Sequence, residues 1–223
     1  MADPVTSASE VTQHLGALRE RLARVGGDQV QVVAVTKGFG PETVVAAVGA
    51  GLMDVGENYA QELLAKADGV SEELDAEIRP RWHFIGRLQR NKIRKIAHLV
   101  DLWQSVDRIE AGVEIARRAP GARVLVQVDV AGIGERGGCP PTDTAQLVTG
   151  CQRAGLEVVG LMAVGEPGPP ERARPGFRLL ATQAADLGLS ELSMGMSGDI
   201  EIAVEEGATM VRVGTALFGP RPR

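Results

Sequence analysis

Short apolar runs recur along the chain at intervals the size of a strand–helix unit. Ahead of them, Val11, Leu15, Leu18, Leu22 and Val25 repeat at steps of three and four, which is one face of an amphipathic helix. Eight runs follow, at 30–36, 53–56, 82–85, 99–105, 124–130, 158–164, 192–196 and 210–213. Most are rich in valine and show no apolar–polar alternation, the pattern of parallel strands covered on both faces. Between them lie stretches of helical character at 42–50, 60–67, 91–97, 109–118, 142–154, 178–187 and 200–205. Eight strand–helix units after a leading helix predict a (β/α)8 TIM barrel with an extra N-terminal helix, occupying 1–223 as a single domain. An open doubly wound sheet is the alternative. The Gly- and Pro-rich stretch 165–175 reads as a surface loop rather than a linker.

Composition narrows the function classes. With 223 residues, 44% hydrophobic and 24% charged, the chain can bury a full core without disulfides or metals. Aromatics are only 3% and net charge is −5, which argues against nucleic acid as a partner. No apolar run is long enough to span a membrane, and 1–10 does not read as a signal peptide. Cys139 and Cys151 lack metal-site or redox spacing and suit a reducing, cytoplasmic compartment.

In a barrel, chemistry sits where strands end and helices begin. The first strand ends at Lys37, and lysine is scarce, with 4 Lys against 20 Arg. A desolvated lysine can lose its proton and form a Schiff base, which arginine cannot do. A salt-bridged strand-end lysine is the bland reading. Ser197 with Gly198 and Asp199 reads as a helix N-cap after strand seven, and Gly214 and Thr215 end strand eight. Exits seven and eight commonly cradle phosphate in this fold. Strand one closes against strand eight, so a reactive lysine facing a phosphate cradle points to a phosphorylated aldehyde. Pyridoxal 5′-phosphate (PLP) fits, and so does the substrate of a phosphosugar aldolase.

Seven motifs, VAVTKGF, DVGENYAQE, WHFIGRLQRNK, SVDR, GLMAVG, LSMGMSGD and MVRVGTALFG, occur in this order. Together they resemble the pyridoxal phosphate homeostasis protein family over essentially the whole chain. The resemblance implies a barrel similar to the N-terminal domain of bacterial alanine racemase, with PLP held as a Schiff base on Lys37. It also implies that Arg212 faces the pyridine nitrogen and that Gly214, Thr215 and Ser197 hold the phosphate. A permanently charged guanidinium there discourages protonation of the ring and weakens the cofactor as an electron sink. Racemisation also needs a second acid–base group, which alanine racemase takes from a tyrosine of its second domain. The expectation is therefore a PLP carrier, not an enzyme, that releases its cofactor by transimination to amines, amino acids or PLP-dependent apo-enzymes. A weak amino-acid racemase and a cofactor-free aldolase are the alternatives. Absence of the racemase's second domain suggests a monomer.

Other residues carry two readings each. Asn58 either positions the cofactor ring or caps the following helix. Glu57 reads as a structural partner rather than an acid–base group, Tyr59, the sole tyrosine, as packing or a hydrogen-bonded wall rather than a catalyst, and His83 as a satisfied core histidine rather than a group near the cofactor. Arg87, Arg90, Lys92, Arg94 and Lys95 form a basic cluster, either a solvated helix face or a surface for phosphate or an acidic protein. Arg136 and Gly198 depart from the family pattern at the rim.

Overall fold

The structure is a computed structural model that describes residues 7–75 and 77–221. Part of the stretch read for a signal peptide, and both ends of the 1–223 span, lie outside the described residues. Eight parallel strands close into a barrel in sequence order, and β8 pairs back to β1. They are β1 (Gln31–Val35), β2 (Asp54–Glu57), β3 (Arg81–Phe84), β4 (Val100–Val106), β5 (Arg123–Val128), β6 (Glu157–Ala163), β7 (Glu191–Ser193) and β8 (Met210–Val213). The helices are α1 (Ala8–Ala23), α2 (Pro41–Gly49), α3 (Ala60–Glu73), α4 (Arg90–Ile96), α5 (Ile109–Arg118), α6 (Thr144–Arg153), α7 (Arg174–Asp186), α8 (Ile200–Glu205) and α9 (Thr215–Phe218). The open-sheet alternative is excluded by the β1–β8 ladder, in which Val33 pairs with Arg212 and Ala34 with Val213.

Ser7 and Glu10 start α1 with a reciprocal capping box, and Val11, Leu18 and Leu22 bury its apolar stripe. Two apolar layers result. The larger lies between barrel and helices and takes outward-facing strand residues such as Trp82, Phe84, Trp103 and Val213. The smaller fills the barrel itself with Val33, Leu102, Leu125, Met162 and Met210. Strand positions buried on both faces explain the continuous valine-rich runs.

Some element ends differ from the sequence expectation for local reasons. The seventh strand stops at Ser193 rather than 196 because Gly195 adopts φ of +92°, which an extended strand does not accommodate. The fifth stops at Val128, where the Asp129 amide turns to the Cys139 carbonyl instead of continuing the ladder. The stretch 165–175 contains a 3-10 turn, Pro170–Ala173, and the first residues of α7.

Candidate functional site

Strand register brings the predicted residues to one mouth of the barrel. Val35 pairs with Gly56 on β2, and Ala34 pairs with Val213 on β8. Lys37 therefore lies just beyond β1 with Asn58 on one side and Gly214 on the other. A Cβ at Gly214 would sit 3.0 Å from the Val35 carbonyl, so glycine is what lets the β8 exit close onto β1.

Lys37 stands at a tight turn. The Phe39 amide donates to the Thr36 carbonyl at 3.0 Å, and Gly38 takes φ of +77°, in the left-handed region. The Gly38 amide donates to Glu62 Oε2 at 2.7 Å, which pins the loop. Lys37 is half-buried, and its Nζ has no hydrogen-bond partner among the described residues. Burial lowers the pKa of this ammonium, and the positive charges of Arg221 and Arg212 lower it further, against the pull of Glu57 and Glu62. A half-buried, unpaired amine of this kind is disposed to act as a nucleophile.

Behind the turn lies a network that sequence reasoning missed. Lys66, on α3, donates to the Thr36 carbonyl at 2.7 Å, to Glu57 Oε1, and more weakly to Glu62 Oε2 at 3.4 Å. Thr36 Oγ1 also donates to Glu57 Oε1, at 2.6 Å. Glu57 is fully buried and its second oxygen has no partner among the described residues. Burial raises its carboxyl pKa although Lys66 and Thr36 oppose the shift. Glu57 is thus a structural partner, and the spacing of Glu62 and Lys66 on one helix signals only the weaker contact of the network, not the pair with Glu57.

Arg212 is buried on β8. Its Nη1 donates to the Ser193 carbonyl at 2.7 Å and to Ser193 Oγ at 2.8 Å, and its Nη2 donates to the Ala163 carbonyl at 2.8 Å. Burial pushes its pKa down to about 10, opposed by Asp199, and it stays charged at neutral pH. Three of its five N–H groups are thereby used, leaving Nε–H and one hydrogen of Nη2. Thr215 opens α9, and its hydroxyl is without a partner among the described residues, as is that of Ser197. Of the three residues read as the start of α8, Asp199 occupies the cap position. Its side chain accepts from the Met196 amide at 2.6 Å and shapes the β7 exit.

Asn58 does not cap α3. Tyr59 occupies the cap position without a side-chain bond, and Asn58 Oδ1 is buried with no partner among the described residues. Tyr59 is 54% exposed and stands outside the core. His83 is satisfied inside the barrel by Asp54 and Gln104. Of the basic cluster, Arg94 pairs with Glu114 at 3.0 Å. Lys92 and Lys95 join Tyr59 around a cavity of about 160 Å³. Arg136 donates to the Gly165 carbonyl at 3.1 Å and lines a rim cavity with Gly198 and Asp199.

The remainder of the described molecule offers less chemistry. A cavity of about 670 Å³ between the starts of α5 and α6 is lined by Arg108, Ile109, Cys139 and Arg153, outside the barrel mouth. Cys139 and Cys151 are free and buried, and burial raises both thiol pKa values, that of Cys151 to about 11. No group of acidic, His or Cys side chains among the described residues could hold a metal, and no described helix is long and apolar enough to cross a membrane.

Residues 10–222 match the family described as alanine racemase, N-terminal domain. The pyridoxal phosphate homeostasis protein of Pseudomonas aeruginosa is 40% identical, over 97% of this chain and 96% of its own. The human protein of that name is 36% identical over 86% of this chain and 77% of its own. Among solved structures, PipY of Synechococcus elongatus, determined with PLP bound, is 32% identical. It superposes with a TM-score of 0.81, covering 94% of this chain and all of the other. Lysine decarboxylase of Selenomonas ruminantium, at 18% identity and a TM-score of 0.65 over 98% of this chain and 63% of its own, shares the fold. With its motifs, barrel and unpaired strand-one lysine, this chain belongs to the pyridoxal phosphate homeostasis protein family, within the alanine racemase N-terminal-domain group.

Proposed function

We propose that this chain, as one barrel domain over 1–223, binds PLP at the barrel mouth through Lys37 and serves cofactor homeostasis rather than catalysis. The observation that carries the reading is the Lys37 amine, unpartnered, depressed in pKa and set beside a buried arginine at the β1–β8 seam. The residues present fit the cofactor. Asn58 Oδ1 is a buried acceptor without a donor, Ser197 and Thr215 offer unpaired hydroxyls, and Gly214 brings backbone close. PLP supplies an aldehyde that condenses reversibly with an amine, losing water.

Each residue has a defined task. Lys37 presents a neutral amine. Ser197, Gly214 and Thr215 would bind phosphate oxygens, Arg212 would donate to the ring nitrogen, and Asn58 would position the ring or its 3-hydroxyl. An amine or amino acid displacing Lys37 would give up two hydrogens that return to Nζ, and the phosphate contacts alone would then retain the ligand. Release to amines, or to PLP-dependent apo-enzymes, follows from that weaker hold. Tyr59 is too exposed to serve as a shielded acid–base group opposite Lys37, which favours carriage over racemisation. The protein acts as a cytoplasmic monomer.

Borohydride reduction of the PLP-treated protein followed by peptide mapping tests the site. A phosphopyridoxyl group on Lys37, absent from Lys37→Ala, is expected. A wild-type protein that remains colourless and unlabelled overturns the reading. Steady loss of optical rotation from L-alanine, abolished by Lys37→Ala, overturns the carrier half and establishes a racemase.

A further inference from the structure

Beneath Arg212 the barrel interior holds a single file of buried polar side chains crossing from β8 to β2. Arg212 contacts Ser193 Oγ at 2.8 Å, and Ser193 Oγ contacts Gln104 Oε1 at 2.6 Å. Gln104 Nε2 lies 2.7 Å from His83 Nδ1, and His83 Nε2 lies 3.1 Å from Asp54 Oδ1. Arg81 closes the far end with two bonds to Asp54, at 2.7 and 2.6 Å. Arg212, Ser193, Gln104, His83 and Asp54 are all buried. A file of this kind displaces apolar packing, so its retention needs a reason beyond filling space.

Its direction is fixed by chemistry. A guanidinium has only donors, so Ser193 Oγ must accept from Arg212 and pass its own hydrogen onward. Gln104 Oε1 takes that hydrogen. The amide nitrogen therefore faces His83 and donates to Nδ1, and it also meets Met210 Sδ at 3.1 Å. With Nδ1 accepting, the imidazole carries its hydrogen on Nε2, toward Asp54. Burial opposes the Asp54 charge, but bonds from His83, Arg81 and Gln31 prevail and hold this carboxyl well below its usual range. Every donor points away from Arg212 and toward an anion. The aligned dipoles present their negative ends to the guanidinium, a buried cation with no carboxylate in hydrogen-bond contact.

The geometry points to a positioning role: Asp54, His83, Gln104 and Ser193 act as one oriented relay that fixes the rotation and hydrogen-bond donation of Arg212. Through Arg212 they set the hydrogen-bonded state of the ligand's ring nitrogen. The ligand half rests on the PLP reading above. The Arg212 half does not, because the file exists in the protein's own side chains.

Two readouts separate these halves. In ligand-free protein, solvent exchange of the Arg212 Nε–H, followed by NMR, is expected to speed up about five- to tenfold in Gln104→Met and Ser193→Ala, the size of a lost buried hydrogen bond. In protein loaded with ring-¹⁵N PLP, the same variants are expected to shift the ring-nitrogen resonance and the visible absorption maximum while Lys37 stays labelled. His83→Gln, which can still accept at one end and donate at the other, should recover both signals more nearly than His83→Leu. Leu125→Met, an interior change outside the file, should move neither. Folded Gln104→Met or Ser193→Ala protein with wild-type exchange and a wild-type ring signal overturns the relay. Faster exchange with an unshifted ring signal in labelled protein overturns its reach to the ligand. Wild type that takes up no PLP overturns the site reading and the ligand half with it, and leaves Arg212 exchange to decide the remaining half.

Discussion

Two lysines meet the same turn from opposite sides, and their surroundings assign them opposite work. Lys66 is buried, donates to Glu57, Glu62 and the Thr36 carbonyl, and has nothing left to offer a ligand. Lys37 is half-buried, has no partner among the described residues, and faces the positive charges of Arg212 and Arg221. The contrast shows that burial alone does not make a lysine reactive. What matters is burial without a compensating anion, which disfavours the charged form and leaves the lone pair available.

The comparison can be broken most severely at Lys37. Lys37→Ala should abolish covalent capture of PLP, measured by borohydride labelling, while its urea midpoint stays close to that of the wild type. Lys66→Met should do the reverse. Removing one partner from a buried ion pair costs about 3–5 kcal/mol, read from urea unfolding, and the folded fraction should still label at Lys37. Restoring neutrality with the double change Glu57→Leu and Lys66→Met should recover most of that loss. The sign of the pH dependence follows from Glu57. Burial raises its folded pKa, so the cost of Lys66→Met is largest at neutral pH and shrinks as pH falls toward the ordinary carboxylate range, where Glu57 takes a proton. The finest adjustment is Arg221→Gln. Taking away a positive charge raises the Lys37 pKa, leaves less neutral amine, and should move the pH profile of the PLP capture rate upward. Capture near neutral pH then slows by a few-fold, and the difference fades in high salt.

Lys37 was legible in the sequence because a rare residue type stood at the end of an apolar run in a repeating strand–helix pattern. Lys66 was not, since a lysine four places after a glutamate on a helix reads as a solvated pair. Only the fold folds that face against Thr36 and Glu57. The eight strands were legible for the reason that hid their interior. Runs covered on both faces lack alternation, so His83 between Trp82 and Phe84, or Gln104 and Ser105 between Trp103 and Val106, shows as a short polar interruption of an apolar stretch. That the side chains of the file all point inward, and touch one another across β3, β4, β7 and β8, is a property of barrel closure and leaves no mark in local spacing. Ser197 and Asp199 illustrate a smaller limit. The helix was legible at 200–205, where α8 lies, but spacing alone did not show which of the three candidate cap residues would bond the Met196 amide.

The β1–β8 ladder also has a kinetic consequence. Ala34 and Val213 are neighbours in space and stand near opposite ends of the chain, so the pocket cannot assemble until nearly all of the polypeptide is available and its most non-local pairing has formed. A ligand that touches both Lys37 and Gly214 then works as a clasp across that join. At a hundredfold excess over its dissociation constant it would add about 2.7 kcal/mol against opening. Occupancy would therefore lengthen the time each copy survives proteolysis.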